Sequence, residues 1–218
     1  SGAQRPVIIL GGGATSSNAG EEVVRLAEKL SVPVATSLNG KGTILDSHPL
    51  SIGVAGTYPR WCANQIISEA DLVLFIGSHT GDQVTNVWRV PVPGTPVIQI
   101  DIDPAELGRS YPNTVSILGD AKITVQRLTS AVESRGHDLE WINRVHSLVS
   151  NWYSEFRPLL ESDATPIRPE RLCKEISDML PSNAIVVSDT GHAAGWTGTM
   201  MDLTDPGQNY MRCAGSLG

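Results

Sequence analysis

Five short runs of aliphatic and β-branched residues constrain the fold of this chain most. They are Pro6-Val7-Ile8-Ile9-Leu10, Pro33-Val34-Ala35-Thr36-Ser37, Leu72-Val73-Leu74-Phe75-Ile76-Gly77, Pro96-Val97-Ile98-Gln99-Ile100-Asp101 and Thr114-Val115-Ser116-Ile117-Leu118. A continuous apolar run bounded by turn residues is the mark of a parallel strand buried on both faces. Between the first two, Val23, Val24, Leu26, Ala27 and Leu30 recur at helical spacing. A second helical stretch ends at Ala70, and a third runs from Ala121 to about Glu133. Strands alternating with helices predict parallel βαβ units with right-handed crossovers. Residues 1–136 therefore read as one α/β unit. It is a parallel, Rossmann-like sheet of five or six strands with helices on both faces.

Beyond it, Leu139 to Phe156 reads as a helix carrying Trp141, Val145, Leu148, Val149 and Trp152. Arg157 to Pro169 holds three prolines and reads as a linker, so residues 137–167 are helix plus linker. A second α/β unit, 168–218, opens with a helix from Pro169 to Leu180. The strand Ala184-Ile185-Val186-Val187-Ser188 and a glycine turn follow. A single strand-turn-helix cannot bury both faces of a parallel strand. This unit is expected to be a truncated piece, completed by further residues or by another chain. Its strand is expected to lack both neighbours, leaving residues from about Thr165 loosely held.

The formal charge of −7, from 16 Lys+Arg against 23 Asp+Glu, argues against a nucleic-acid partner. No apolar run approaches the roughly 18 residues of a membrane span. No basic, apolar leader opens the chain, and Ser1-Gly2-Ala3 reads as a cut point or tag scar. Cys62, Cys173 and Cys213 have neither zinc spacing nor a disulfide pattern. A reducing, cytoplasmic setting follows as the expectation.

Three loops carry candidate chemistry. Gly11-Gly12-Gly13-Ala14 follows the first strand, where glycines let backbone approach a phosphate. It lacks the full dinucleotide fingerprint and also suits a tight strand–helix turn. Gly77-Ser78-His79-Thr80-Gly81-Asp82-Gln83 and Asp101-Ile102-Asp103-Pro104 lie at later strand ends, where open α/β sheets bind ligands. Asp103 suits capping of a following helix, which leaves Asp101 the freer carboxylate for a ribose hydroxyl. Ser188-Asp189-Thr190-Gly191-His192-Ala193 is the sharpest motif. A strand ends in Asp-Thr-Gly and a helix begins, so the free amides of Gly191 and His192 face outward. No metal-ligand cluster and no Ser–His–Asp set is legible.

These segments, with the terminal Cys213-Ala214-Gly215-Ser216-Leu217-Gly218, resemble thiamine-diphosphate enzymes of the acetolactate synthase type. Other landmarks are Gly53-Val54-Ala55-Gly56, Glu69-Ala70-Asp71-Leu72 and Gly119-Asp120. The resemblance implies that residues 5–135 are the central domain. Residues 168–218 would then be the start of the diphosphate-binding domain. It implies that Thr190, Gly191, His192 and Ala193 meet the cofactor diphosphate, and that Gly215, Ser216 and Leu217 hold its aminopyrimidine. It implies Mg2+, a 2-keto acid substrate, decarboxylation followed by ligation to a second carbonyl, and a homodimer or tetramer. The apolar run Ala193 to Met201 fits such assembly. The activating glutamate and the magnesium ligands of that family fall outside these residues, so no catalytic or metal-binding residue is expected within the chain. Alone, it is expected to be inactive. Gly12, Gly77, Ser78, His79, Gln83, Asp101 and Ile102 would line a central-domain site for FAD or ADP. Flavin-binding members carry arginines where His79 and Gln83 stand, and FAD, ADP or neither remain open. The rival readings are an NAD-binding deacylase-like domain and a non-catalytic nucleotide-binding module. The first predicts a zinc module with paired cysteines, which the sequence lacks.

Overall fold

The computed structural model describes residues 2–134 and 139–213. Six strands form one parallel sheet: β1 (Pro6–Leu10), β2 (Val34–Thr36), β3 (Ser51–Val54), β4 (Leu72–Ile76), β5 (Val97–Asp101) and β6 (Val115–Leu118). Their spatial order is β3-β2-β1-β4-β5-β6. The order reverses between β1 and β4, where residues Pro6 to Leu10 pair in parallel with Leu72 to Ile76. A reversal of this kind opens a crevice at the carboxyl ends of the two strands.

Period-2 alternation splits the sheet into two cores. Val7 and Ile9 of β1 face one, and Ile8 and Leu10 face the other. Helices α1 (Gly12–Ser16), α2 (Gly20–Leu30) and α4 (Ala121–Ala131) cover the second face. Helices α3 (Trp61–Glu69) and α5 (Leu139–Leu160) cover the first. In α5, Trp141, Val145, Leu148 and Trp152 are buried at helical spacing.

β3 was not among the runs read from sequence. Its Ser-Ile-Gly-Val is broken by Gly53, whose φ is +84°. A Cβ there would lie 2.4 Å from the Arg60 Cδ, so glycine makes room for that side chain. The expected linker at Arg157 is also corrected: α5 continues through Pro158 to Leu160. Phe156 and Leu160 pack on the first core, and that packing outweighs the lost backbone donor.

The second unit consists of α6 (Pro169–Met179), β7 (Ile185–Ser188), α7 (His192–Met200) and β8 (Asn209–Arg212). β7 does not lack both neighbours, because β8 pairs with it in parallel from Ile185↔Asn209 to Ser188↔Arg212. One face of the pair is covered, with Val186 packed on the first core and Tyr210 buried. The other face shows Ile185 at 64%, Val187 at 64% and Met211 at 58% exposure. Ala194, Met200 and Met201 are buried within the chain. The run from Ala193 to Met201 therefore does not supply the exposed patch expected of it. The outer face of β7 and β8 does.

A buried charge cluster ties this unit to the sheet. The Lys41 Nζ donates to the Asp46 Oδ2 at 2.9 Å, and the Leu203 amide donates to the same oxygen at 2.9 Å. Arg60 donates through Nε to the Thr199 carbonyl (3.0 Å), through Nη1 to the Tyr153 hydroxyl (2.9 Å) and through Nη2 to Asp202. Its guanidinium also lies over the Trp152 ring, 4.6 Å from the centroid.

Burial pushes the Asp46 pKa up, but Lys41, Arg60 and the Leu203 amide outweigh it and hold the carboxyl below its ordinary 3.8. A carboxylate depressed by folding stabilises the fold above its unfolded pKa. That stabilisation is lost as pH falls through the folded value. The chain should therefore lose stability progressively below about pH 4. Asp46→Asn should be less stable at pH 7 and show a shallower loss on acidification. Urea unfolding across pH 3–7 measures both, and equal slopes would remove Asp46 from this role.

Candidate functional site: the glycine-loop cleft and the α7 amino terminus

The switch point brings two glycine loops into backbone contact. The Gly11 amide donates to the Ile76 carbonyl and the Gly13 amide to the Gly77 carbonyl, both at 2.9 Å. A Cβ on Gly11 would stand 2.0 Å from the Gly77 oxygen, and one on Gly77, at φ +57°, would stand 2.5 Å from the Ala14 nitrogen. Neither position tolerates a side chain without parting β1 from β4.

Between the loops lies a cleft of about 520 Å³. Gly12, Gly77, Ser78, His79 and Gln83 line it, as the sequence reading expects, together with Arg212 from β8. Asp101 and Ile102 line an adjoining hollow of about 260 Å³. The two spaces share Gly13, Ser16 and Gly77. The seven candidate residues thus fall around two neighbouring hollows at one end of the sheet. The size suits a nucleotide or a comparable small molecule.

Their chemistry differs in part from the expectation. α1 spans only five residues, so glycine backbone rather than a long helix dipole shapes this wall. Asp101 is not the free carboxylate. It is 5% exposed, and its Oδ1 accepts the Asp103 amide at 3.0 Å. Asp103 in turn accepts the Ala105 amide at 2.9 Å, in a turn rather than at the start of a helix. The segment closes its own backbone with one oxygen of each carboxylate, while Asp101 still borders the smaller hollow. His79 and Gln83 are exposed, and Ser78 is buried.

Sequence reading also missed Gln99. It is buried in mid-strand, where its Nε2 donates to the Ser78 carbonyl (3.3 Å) and the Glu106 carbonyl (3.1 Å). Its Oε1 accepts from the Gly108 amide and from Asn113. It holds the loops after β4 and β5 together. A polar residue inside Val97-Ile98-Gln99-Ile100 was the available signal. Thr80 is likewise buried against the cleft with φ +49°.

The second place is the turn from β7 into α7. Gly191 has φ +71° and ψ −140°, and a Cβ there would meet nothing within 4 Å. The Thr190 amide donates to the Asp189 Oδ1 at 2.7 Å. Gly191, His192 and Ala193 are exposed at the start of a nine-residue helix. The first amides of such a helix have no intrahelical acceptor and favour an anion. Gly215, Ser216 and Leu217 lie outside the described residues. Burial pushes the Cys62 and Cys173 thiols up to about 11, which leaves neither a ready nucleophile. Among the described residues no group of three or more histidine, cysteine or acidic side chains could hold a metal ion. No helix among them is long and apolar enough to cross a membrane.

Comparison with known proteins covers most of the chain. Residues 1–128 match the family described as "Thiamine pyrophosphate enzyme, central domain". The probable acetolactate synthase large subunit of Methanocaldococcus jannaschii is 36% identical over 201 residues, covering 88% of this chain and 33% of that protein. The acetolactate synthase isozyme 1 large subunit of Escherichia coli is 32% identical, covering 94% of this chain and 35% of that protein. The acetolactate synthase large subunit of Lactococcus lactis is 32% identical, covering 88% and 33%. The chain spans about a third of the length of the curated relatives it matches.

Proposed function

Because this chain belongs to the thiamine pyrophosphate enzyme family, we propose that the intact protein decarboxylates a 2-keto acid of the pyruvate type and ligates the product to a second carbonyl compound. The observation that carries this reading is the β7–Gly191–α7 turn. It is an open helix amino terminus at the carboxyl end of a parallel strand, with a glycine at positive φ. Gly191, His192 and Ala193 offer backbone amides there beside Thr190, whose own amide is held by Asp189, and no side chain crowds Gly191. This end of the chain fits a diphosphate. Thiamine diphosphate, when bound, supplies the electron sink that loss of carbon dioxide from a 2-keto acid needs.

Among the described residues no three histidine, cysteine or acidic side chains gather as a metal set. Within those residues the diphosphate charge is met by the amides at the start of α7, and Mg2+ ligands are assigned elsewhere in the protein. Residues 1–136 act as the central unit, 137–167 as the connection and 168–218 as the start of the diphosphate-binding unit. Gly215, Ser216 and Leu217 belong to the same cofactor site. The glycine-loop cleft holds FAD or ADP. The protein works as a cytoplasmic homodimer or tetramer. The exposed Ile185, Val187 and Met211 mark the face that the rest of the diphosphate-binding unit covers. Family membership favours an enzyme over both rival readings.

The test is calorimetric. Thiamine diphosphate titrated into the intact protein with magnesium should bind saturably. Gly191→Val should weaken that binding about tenfold or more, since a β-branched residue cannot hold φ +71° without distorting the turn. Equal affinity for both proteins would remove the α7 amino terminus from the cofactor site.

A further inference from the structure

We propose that Arg212 is the phosphate-binding side chain of the glycine-loop cleft, reaching it from the second unit. The occupant is then an adenine nucleotide that carries a diphosphate. This rests on the reading of the cleft as a nucleotide site.

Arg212 ends β8, where pairing with Ser188 of β7 fixes its place. It lines the same cleft as Gly11, Gly12 and Gly13. Its Nη1 donates to the Gln83 Oε1 at 2.8 Å. Its Nε is buried and has no acceptor. Among the described residues it has no carboxylate partner within ion-pair distance. A guanidinium carries five donors in a fixed fork and keeps its charge at any working pH. One neutral amide oxygen leaves most of that capacity unused.

Thr80 supplies an independent observation. It is fully buried, it lines the same cleft, and its Oγ1 also lacks a partner. Buried donors without acceptors are uncommon in folded chains and mark places where a bound group completes the set. Here two such donors border one space, with a wall of glycine backbone between β1 and β4. An oxygen-rich anion in the cleft suits the guanidinium donors that Gln83 leaves unused, and phosphate suits the bidentate fork.

The charged and titratable groups among the described residues that line the cleft are Tyr58, His79, Asp82 and Arg212. The Asp82 carboxylate lies on the exposed outer loop and accepts the Gln83 amide at 2.8 Å. Arg212 is the one arginine or lysine among the described residues that line the cleft. Because Arg212 belongs to β8, a bound diphosphate also bridges the two units of the chain.

The experiment uses the intact protein and three probes: ADP, FAD and uncharged adenosine. Arg212→Met should raise the Kd for ADP or FAD about 10- to 100-fold, as expected for a lost charge-assisted hydrogen bond. It should leave the adenosine Kd within about twofold, and Arg212→Lys should recover part of the loss. Unchanged nucleotide affinity in Arg212→Met overturns the role of Arg212 while the nucleotide site stands. An equal loss for adenosine also overturns it, since the side chain would then act through structure alone. A wild-type protein that binds neither ADP nor FAD overturns both the nucleotide reading and the proposal.

Discussion

Arg60→Ala is expected to lower the stability of the chain by about 3–5 kcal/mol, the cost of breaking a buried ion pair from one side. Arg60 is 3% exposed, and its charge is bonded in several directions at once. Burial opposes that charge, but the Asp202 and Asp46 carboxylates outweigh it and hold the guanidinium ionised. Removing the side chain leaves the Thr199 carbonyl, Asp202 and the Tyr153 hydroxyl without their donor. It also uncovers the Trp152 ring. The midpoint of urea unfolding should fall by about 1–2 M for a chain of this size.

The loss should also be local. Asp46 keeps Lys41 but loses its second cation, at 3.6 Å. The Leu203 amide that donates to it should then exchange faster with solvent. Arg60→Lys should fall between the two, since an ammonium keeps the charge but not the planar fork. A midpoint shift below about 0.3 M would show that the cluster does not hold the second unit to the sheet.

The sequence exposed the sheet because parallel strands carry apolar runs. Those of β1, β2, β4 and β5 are largely buried, whereas β6, read the same way, is an exposed edge strand with Val115 and Leu118 facing solvent. β3 escaped because Gly53 makes room for Arg60, a tertiary reason with no local trace. β8 escaped because Asn209-Tyr210-Met211-Arg212 buries only Tyr210 and shows no β-branched run. The helix through Pro158 escaped because packing of Phe156 and Leu160 overrode a local breaker.

The site divides along similar lines. Glycine turns at strand ends are readable, and the structure gathers Gly12, Gly77, Ser78, His79 and Gln83 around one cleft. Which carboxylate is free is not readable, because it depends on which backbone amide lies within reach. Asp101 is engaged by the Asp103 amide. Arg212 joins a loop 129 positions away through Gln83, and no motif spacing reports a contact of that kind.

The proposed chemistry needs thiamine diphosphate to turn over a 2-keto acid. Among the described residues, the candidate diphosphate end offers the backbone amides of Gly191, His192 and Ala193 and no group of three histidine, cysteine or acidic side chains. A diphosphate is bound weakly in water by amides alone, and a hard divalent cation is the usual partner. Cofactor binding without the remaining groups yields no turnover, because only interactions gained in the transition state accelerate a reaction.

Release of carbon dioxide from pyruvate, followed against thiamine diphosphate concentration, tests this most directly. The intact protein with magnesium should release it in saturable dependence on the cofactor, and the 218-residue chain alone should stay at the cofactor-only background. No cofactor-dependent release by the intact protein, or release by the short chain above that background, would contradict it.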